Sequence, residues 1–323
     1  MSAFTAKIII ICFEIAFGLY LSQLSFDMNP DRISAIICML LLCAGATAQT
    51  PLTVSDLGES TKIAPAYFGP NAFPVPEMTD GKAYGRIYGE LAGDYSKGRI
   101  GDGDDRTWNA FAKISLPLWT PRAELELWMP VVEYWDFSSS VASARRLNPE
   151  RHKGHDSGDI YVCTRIHLVV GDEEGWRPDV MLRSVLKTAS GNSYRSARDY
   201  DSAGYFFDGT VGKGLSLNGF ITGLRAALSA GFLCWQTGTG RQNDAIMGGL
   251  LLSADSRWFK FTAETSGYWG WEHDGDFPVR SRFRLDIHPW DFPACPFLQV
   301  CTGHRDYPFT TIRAGVSLAF ATN

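Results

Sequence analysis

From residue 83 onward the chain alternates between apolar and polar positions. In 279–288, Val279, Phe283, Leu285 and Ile287 take the odd places. Arg280, Arg282, Arg284, Asp286 and His288 take the even ones. The same rhythm runs through Phe259, Phe261, Ala263, Trp269 and Trp271 against Lys260, Thr262, Glu264, Ser266 and Tyr268. It returns in Ile312, Ala314, Val316, Leu318 and Phe320, and in Ala123, Leu125, Leu127 and Met129 against Glu124 and Glu126. Successive side chains of a strand point to opposite faces, so each segment offers one apolar and one wet face. Twelve segments read this way: 83–96, 106–119, 122–137, 159–171, 177–190, 204–216, 220–237, 243–254, 257–271, 277–288, 292–302 and 310–321. Periodicity does not separate strand from buried helix in 220–237 and 243–254, where apolar residues run together. In 292–302, Pro293 and Pro296 each remove a ladder donor.

Connections after the odd-numbered segments, such as 138–158 and 191–203, are longer than tight ones such as Thr120-Pro121 and Asp255-Ser256. An even strand count with longer loops at one end predicts an all-β fold, a transmembrane antiparallel up-and-down β-barrel of about twelve strands. A secreted sandwich also alternates. Two features weigh against it. Tyr95, Trp119, Trp135, Phe137, Trp258, Trp269, Trp271 and Phe320 stand near segment ends, where a bilayer places aromatic girdles. The wet faces also carry more charge than a closed soluble core accepts.

What precedes the strands differs. Ile8 to Leu21 is apolar apart from Glu14, Met28 is a second start-like residue, and Ile33 to Gly45 is a compact apolar run ending in Ala46-Thr47-Ala48. That order is a secretory signal cleaved before Gln49, with residues 1–27 read as lying upstream of a true start at Met28. The domain reading is therefore 1–48 targeting region, 49–82 extended periplasmic leader and 83–323 barrel. Pro51, Pro65, Pro70, Pro74 and Pro76 keep the leader out of helix and central strand.

Composition and charge then narrow the partners. The 323 residues are 45% hydrophobic and 13% aromatic with a net charge of −5, which excludes disorder and leaves no basic surplus for nucleic acid. After cleavage 275 residues remain with a charge of −4 and four cysteines, Cys163, Cys234, Cys295 and Cys301. Cys295 and Cys301 share one predicted strand and lie about 20 Å apart at ~3.3 Å per residue. A disulfide tolerates about 7 Å, so free thiols are expected. No zinc spacing is present, and neither metal nor cofactor is expected.

Several short runs carry a family likeness. They are Gly158-Asp159-Ile160-Tyr161-Val162, Arg177-Pro178-Asp179-Val180-Met181-Leu182-Arg183, Lys187-Thr188-Ala189-Ser190-Gly191-Asn192 and Asp208-Gly209-Thr210-Val211-Gly212-Lys213. Together they resemble the Gly-Asp strand, the Pro-containing strand with its turn, and the Gly-Lys strand of the phenol-degradation meta-pathway outer-membrane proteins. The likeness covers about residues 158–215, and Thr188-Ala189-Ser190-Gly191 departs from the family's Pro-Thr-Gly. It implies an outer-membrane barrel linked to uptake of small organic, often aromatic, compounds. It supplies no catalytic residues.

With apolar faces on lipid, the lumen is expected to carry Glu124, Glu126, Arg165, Arg183, Glu264, Arg280, Arg282, Arg284 and Asp286. A hairpin centred near Asp274 would set Glu264 opposite Arg284 and Lys260 opposite His288. Two readings stand side by side: an anion-favouring constriction driven by the Arg280/Arg282/Arg284 row, or a salt-bridged plug. Twelve strands are fewer than the roughly 16–18 that leave an aqueous channel. No enzyme is expected; the minor alternative, a lipid hydrolase, would rest on His155-Asp156-Ser157-Gly158. The 138–158 loop, with Arg145, Arg146, Arg151, His152, Lys153 and His155, could hold lipopolysaccharide phosphates. The expected setting is the outer membrane of a Gram-negative bacterium. Lipids and lipopolysaccharide would surround the barrel, and the barrel-assembly machinery would insert it. The solute stays unspecified.

Overall fold

The computed structural model describes residues 68–100, 103–145, 152–191, 203–238, 241–270, 276–288 and 294–320. The targeting region, its cleavage position, Met28 and the leader up to residue 67 lie outside the described residues. The elements in order are β1 (Ile87–Ile100), β2 (Gly103–Pro117), β3 (Ala123–Phe137), α1 (Ser139–Ala144), β4 (Lys153–Asp156), β5 (Tyr161–Val169) and β6 (Asp179–Lys187). They continue with β7 (Gly204–Ser216), β8 (Ile221–Gly238), β9 (Arg241–Ser256), β10 (Phe259–Gly270), β11 (Val279–Ile287), β12 (Ala294–Arg305) and β13 (Phe309–Phe320).

Each strand pairs antiparallel with its neighbours, and β1 pairs with both β2 and β13, so the sheet closes. Closure pairs β1 with the last strand and so removes the open edges that a flat sheet would present to lipid; among the described strands only the four-residue β4, paired with β3 alone, keeps a free edge. Thirteen strands make a twelve-strand wall because β4 and β5 share one edge of β3. β5 pairs with Ala123–Trp128, and β4 with Glu133–Asp136. The interruption falls at Pro130, which has no N–H; its carbonyl accepts from the Gly158 amide at 2.9 Å. The ambiguous apolar runs are the two longest strands, β8 and β9. No helix among the described residues is long and apolar enough to cross a membrane.

The alternation sorts as a membrane wall requires. Leu91, Leu182, Phe207, Val211, Leu228, Ile246, Leu250, Phe283, Leu298 and Ile312 are exposed on the outside, while Glu90, Asp94, Arg183, Asp208, Arg225 and Glu264 are buried within. Tyr95, Trp108 and Tyr134 form an outer aromatic row across β1, β2 and β3, with ring centroids 5.2 and 5.4 Å apart. Trp119, Trp258, Trp269 and Phe320 are likewise exposed, as girdle residues are. Trp135 and Phe137 are not. They are buried with Val141 and Ala142 of α1, which folds back over that end of the wall. Trp271 lies outside the described residues.

The loop asymmetry is weaker than expected. Strand pairing carries β1 and β2 to Ile100 and Gly103, leaving a two-residue connection, and β8 and β9 are joined as tightly. Of the longer connections, 138–160, 188–203 and 271–278 lie at the end opposite the start of β1 and the finish of β13, while 170–178 lies at the starting end.

Leu228 sits mid-strand on β8 with 64% of its surface exposed. Leu228→Arg should cost about 2–4 kcal/mol of stability in lipid vesicles, read by urea unfolding, and Leu228→Phe should leave stability near the parent. An unchanged midpoint for the arginine variant would mean that this face does not meet lipid.

Candidate functional site: the threaded lumen

Residues 68–86 run through the inside of the barrel. One strand records their path. The Tyr268 hydroxyl donates to the Phe73 carbonyl at 3.4 Å, Ser266 to the Pro76 carbonyl at 3.2 Å, and the Met78 amide donates to Glu264 at 3.2 Å. Lys260 then meets Asp80 at 3.6 Å. As the leader number rises the β10 number falls, so the leader descends from the long-loop end to the end where β1 begins. At the upper end Phe68, Ala72, Phe73 and Val75 pack with Tyr161, Phe206, Trp235, Tyr268, Tyr307 and Phe309. The segment expected as a periplasmic leader therefore has its described residues, 68–82, within the wall.

Its sequence suits this place. The leader pairs with no strand, so each of its N–H groups needs another partner, and Pro70, Pro74 and Pro76 have none to satisfy. Their segment offers carbonyls instead, and wall hydroxyls supply the donors, Tyr307 to Pro70 among them at 3.3 Å. Gly69 and Ala72 close a turn around Pro70-Asn71 with a 3.2 Å bond. Gly81 and Gly85, at φ +83° and +64°, turn the chain at the lower end. Gly85 also ends the leader: its amide donates to Glu124 at 2.7 Å, and β1 begins at Ile87 instead of residue 83.

The nine residues expected to line the lumen lie along this path or between wall strands. Arg282 binds Glu264 at 2.6 Å and Glu77 of the leader at 2.8 Å. Arg284 binds Glu90 at 2.9 Å and Asp286 at 2.8 Å, with its guanidinium 3.7 Å from the Phe297 ring centroid. Arg165 meets Glu124 at 3.6 Å and Glu126 at 3.4 Å, and donates to the Lys82 carbonyl at 2.7 Å. Arg183 binds Asp208 at 2.6 Å. Arg280 differs: among the described residues its one hydrogen bond is to the Cys301 sulfur at 3.8 Å. The expected register is corrected by two residues. Glu264 faces Arg282, Lys260 faces Asp286, and Thr262 faces Arg284. A two-residue slip keeps every side chain on its face, which is why alternation alone did not reveal it.

Sequence reading missed the leader's own share, Asn71, Glu77 and Asp80. It also missed the wall carboxylates Asp94, Asp159, Asp179 and Asp208. Asn71 donates to Glu133 at 2.6 Å, Arg313 binds Asp94 at 2.9 Å, and Arg225 binds Asp179 at 2.8 Å. For the wall residues the signal was present as parity, since each follows the inward rhythm of its strand. The runs that carry the family likeness knit together locally. Asp159 accepts from the Ser190 and Gly191 amides at 2.9 and 2.7 Å and also holds Lys187. Thr188 donates to the Ile160 carbonyl at 2.8 Å. At the lower mouth, outside the wall, Asp172 is held below its ordinary value by the hydrogen bond from Lys213. Glu173 is held low by the Ser216 hydroxyl and then by Lys82.

Other candidates fall elsewhere. Arg145, expected in an exposed basic loop, is fully buried and binds Asp105 at 2.7 Å. Lys153 remains at the surface beside Asp136, and Arg146 and Arg151 lie outside the described residues. His155 is exposed on β4, and the Ser157 amide bonds Asp156 at 2.9 Å. Cys163, Cys234, Cys295 and Cys301 are free, and among the described residues no group of His, Cys, Asp or Glu is arranged to hold a metal. A cavity of about 130 Å³ remains between leader and wall, bordered by Phe111, Trp128, Arg280, Gln299, Tyr307 and Arg313 among others.

No family model matches the sequence, and no curated protein matches it. Similar solved structures are barrels. The NanC porin is 11% identical, covers 72% of this chain and 100% of its own, and has a TM-score of 0.42. The transport unit of the autotransporter AIDA-I from Escherichia coli is 9% identical, covers 78% and 95%, and scores 0.43. The translocator domain of NalP from Neisseria meningitidis is 10% identical, covers 73% and 88%, and scores 0.38. None of these likenesses assigns a function to the chain.

The ion pairs differ in how many partners back each charge. Asp208→Asn leaves the Arg183 guanidinium buried without its carboxylate and should cost about 3–5 kcal/mol. Glu77→Gln should cost clearly less, because Arg282 keeps Glu264 and Arg313 keeps Asp94. Urea midpoints of the two variants in vesicles check the order; equal losses would contradict it.

Proposed function

We propose that the protein is an outer-membrane β-barrel channel for small organic solutes, anionic or aromatic, whose passage is narrowed by its own leader. The observation that carries this reading is the threaded lumen. A closed wall with an apolar exterior surrounds a path of paired charges, and residues 68–86 leave a small cavity of mixed aromatic and cationic character. A purely structural core would be better served by apolar packing, since buried ion pairs rarely improve on it. A water-filled path that selects solutes has use for charges. In this reading, Arg165, Arg183, Arg280, Arg282 and Arg284, with Glu124, Glu126, Glu264 and Asp286, line the constriction. Outer-membrane lipids and lipopolysaccharide contact the exterior, and the barrel-assembly machinery closes β1 on β13. The resemblance to the phenol-degradation outer-membrane proteins favours aromatic solutes.

The second reading is a sealed barrel with a structural or surface role, favoured by the leader's many bonds to the wall. Planar-bilayer recordings separate the two. The parent protein should show small, infrequent openings, and Glu77→Ala should enlarge them, because it loosens the leader while Arg282 keeps Glu264 and Arg313 keeps Asp94. Arg282→Glu should shift ion preference toward cations. Silence from the parent and from Glu77→Ala, with no benzoate flux into vesicles, would establish the sealed barrel instead.

A further inference from the structure

The three arginines of β11 lie on one face, yet the wall treats them differently. Arg282 has two carboxylates within 2.8 Å, and Arg284 has two within 2.9 Å. Arg280 has none within salt-bridge distance among the described residues. It is only 8% exposed, and its Nε and Nη2 find no hydrogen-bond partner. Its Nη1 contacts the Cys301 sulfur at 3.8 Å, a weak acceptor. The nearby acids are engaged elsewhere: Glu77 with Arg282 and Arg313, and Asp94 with Arg313 and Asn109.

A buried guanidinium whose nearest acids, Glu77 and Glu264, act only from beyond salt-bridge distance is costly to hold. The local backbone adds a second observation. The ladder slips between Val279 and Arg280, whose partners on β12 are Arg305 and Gly303. Such irregularities re-aim a side chain, and here Arg280 borders the cavity. The rest of the rim supplies a hydroxyl from Tyr307, an amide from Gln299, and apolar walls from Phe111 and Trp128.

We propose that this cavity is a binding site for a small organic carboxylate. The carboxylate is held by the Arg280 guanidinium, whose Nε and Nη2 are closed off while the leader lies beside them and open only as it shifts, and the apolar body lies among the aromatic walls. Those two nitrogens form one edge of a planar fork that matches a carboxylate bidentately. A volume of about 130 Å³ is close to that of an apolar cavity that takes benzene, roughly 150 Å³. The head group therefore arrives with a short chain or a single ring. The inference deepens the channel reading by naming the solute's head group, and it is tested by binding, which needs no passage through the membrane.

The probe is radiolabelled butyrate, with butyramide as its uncharged isostere. The full chain is used both as folded in micelles and as refolded with butyrate present, so that a sealed lumen cannot hide the site. The expected result is saturable binding of one butyrate that butyramide does not displace. Arg280→Gln should weaken it by at least about tenfold, while Arg280→Lys, which keeps the charge and loses the bidentate fork, should weaken it less. The unliganded Arg280→Gln barrel should also unfold at higher urea than the parent, since it loses a buried unpaired charge; a structural arginine would lower that midpoint. No saturable binding in either preparation would overturn the site. Displacement by butyramide, or equal affinity in Arg280→Gln, would do the same. Binding only in the refolded preparation, without solute flux, would keep the site and reject the open channel.

Discussion

Arg282 stands between two carboxylates, one on the wall and one on the leader, and much of the interior is organised around that arrangement. Glu264 alone would neutralise it within the sheet. Glu77 makes the same guanidinium a fixing point for a segment that has no strand partner of its own. Arg313 repeats the device on β13 with Asp94 and Glu77. A lumen of this width cannot be left as bare charge, because each uncompensated ion inside costs several kcal/mol. The leader thus serves two ends at once: it fills space, and it adds the counter-charges that the wall lacks.

The wall was readable because alternation is a property of single strands and survives without knowledge of partners. Phe283 and Arg284 declare their faces whichever strand lies beside them. Register is a relation between strands, and a slip of two residues leaves every face unchanged, so the Glu264–Arg282 pairing emerges only from the fold. β8 and β9 were ambiguous for a different reason. Residues such as Ala226, Ala227, Ala230 and Gly231 are small enough to stand on either face, which blurs the period without breaking the strand. Trp135 and Phe137 show the limit of reading aromatics by position. Both stand near a strand end, but the irregularity after Pro130 leaves Val131 and Val132 both outward, so Trp135 and Phe137 share the inward face of Glu133, where α1 covers them. Arg145 is hidden by the same fold. Simple alternation shows neither burial, because the bulge at Val131 resets the parity of the strand's remaining residues and α1 follows after the strand.

The leader was legible as extended and Pro-rich, and its location was not. Proline excludes sheet and helix but does not say what lies alongside. The decisive partners, Ser266, Tyr268 and Tyr307, are about two hundred residues away in sequence. The runs around Asp159 and Lys187, which carry the family likeness, form a local structural knot in which one carboxylate ties two loop amides and a lysine. Their chemistry concerns how β5 and β6 are held, and they touch the cavity only at its border.

The closing seam of the barrel lies between β1 and β13, the first and last strands made. The leader precedes β1, so it is synthesised before any of the wall that will surround it. Once the seam zips, the leader is enclosed along its described length and joined covalently to β1 at its lower end. Threading it afterwards would mean pulling a chain that bears Glu77 and Asp80 past a ring of buried arginines. Assembly is therefore more economical as a wrapping process. The wall is laid around a strand-like mandrel whose bonds to β10 are ready to form, and the final ladder converts a loose association into a mechanical link.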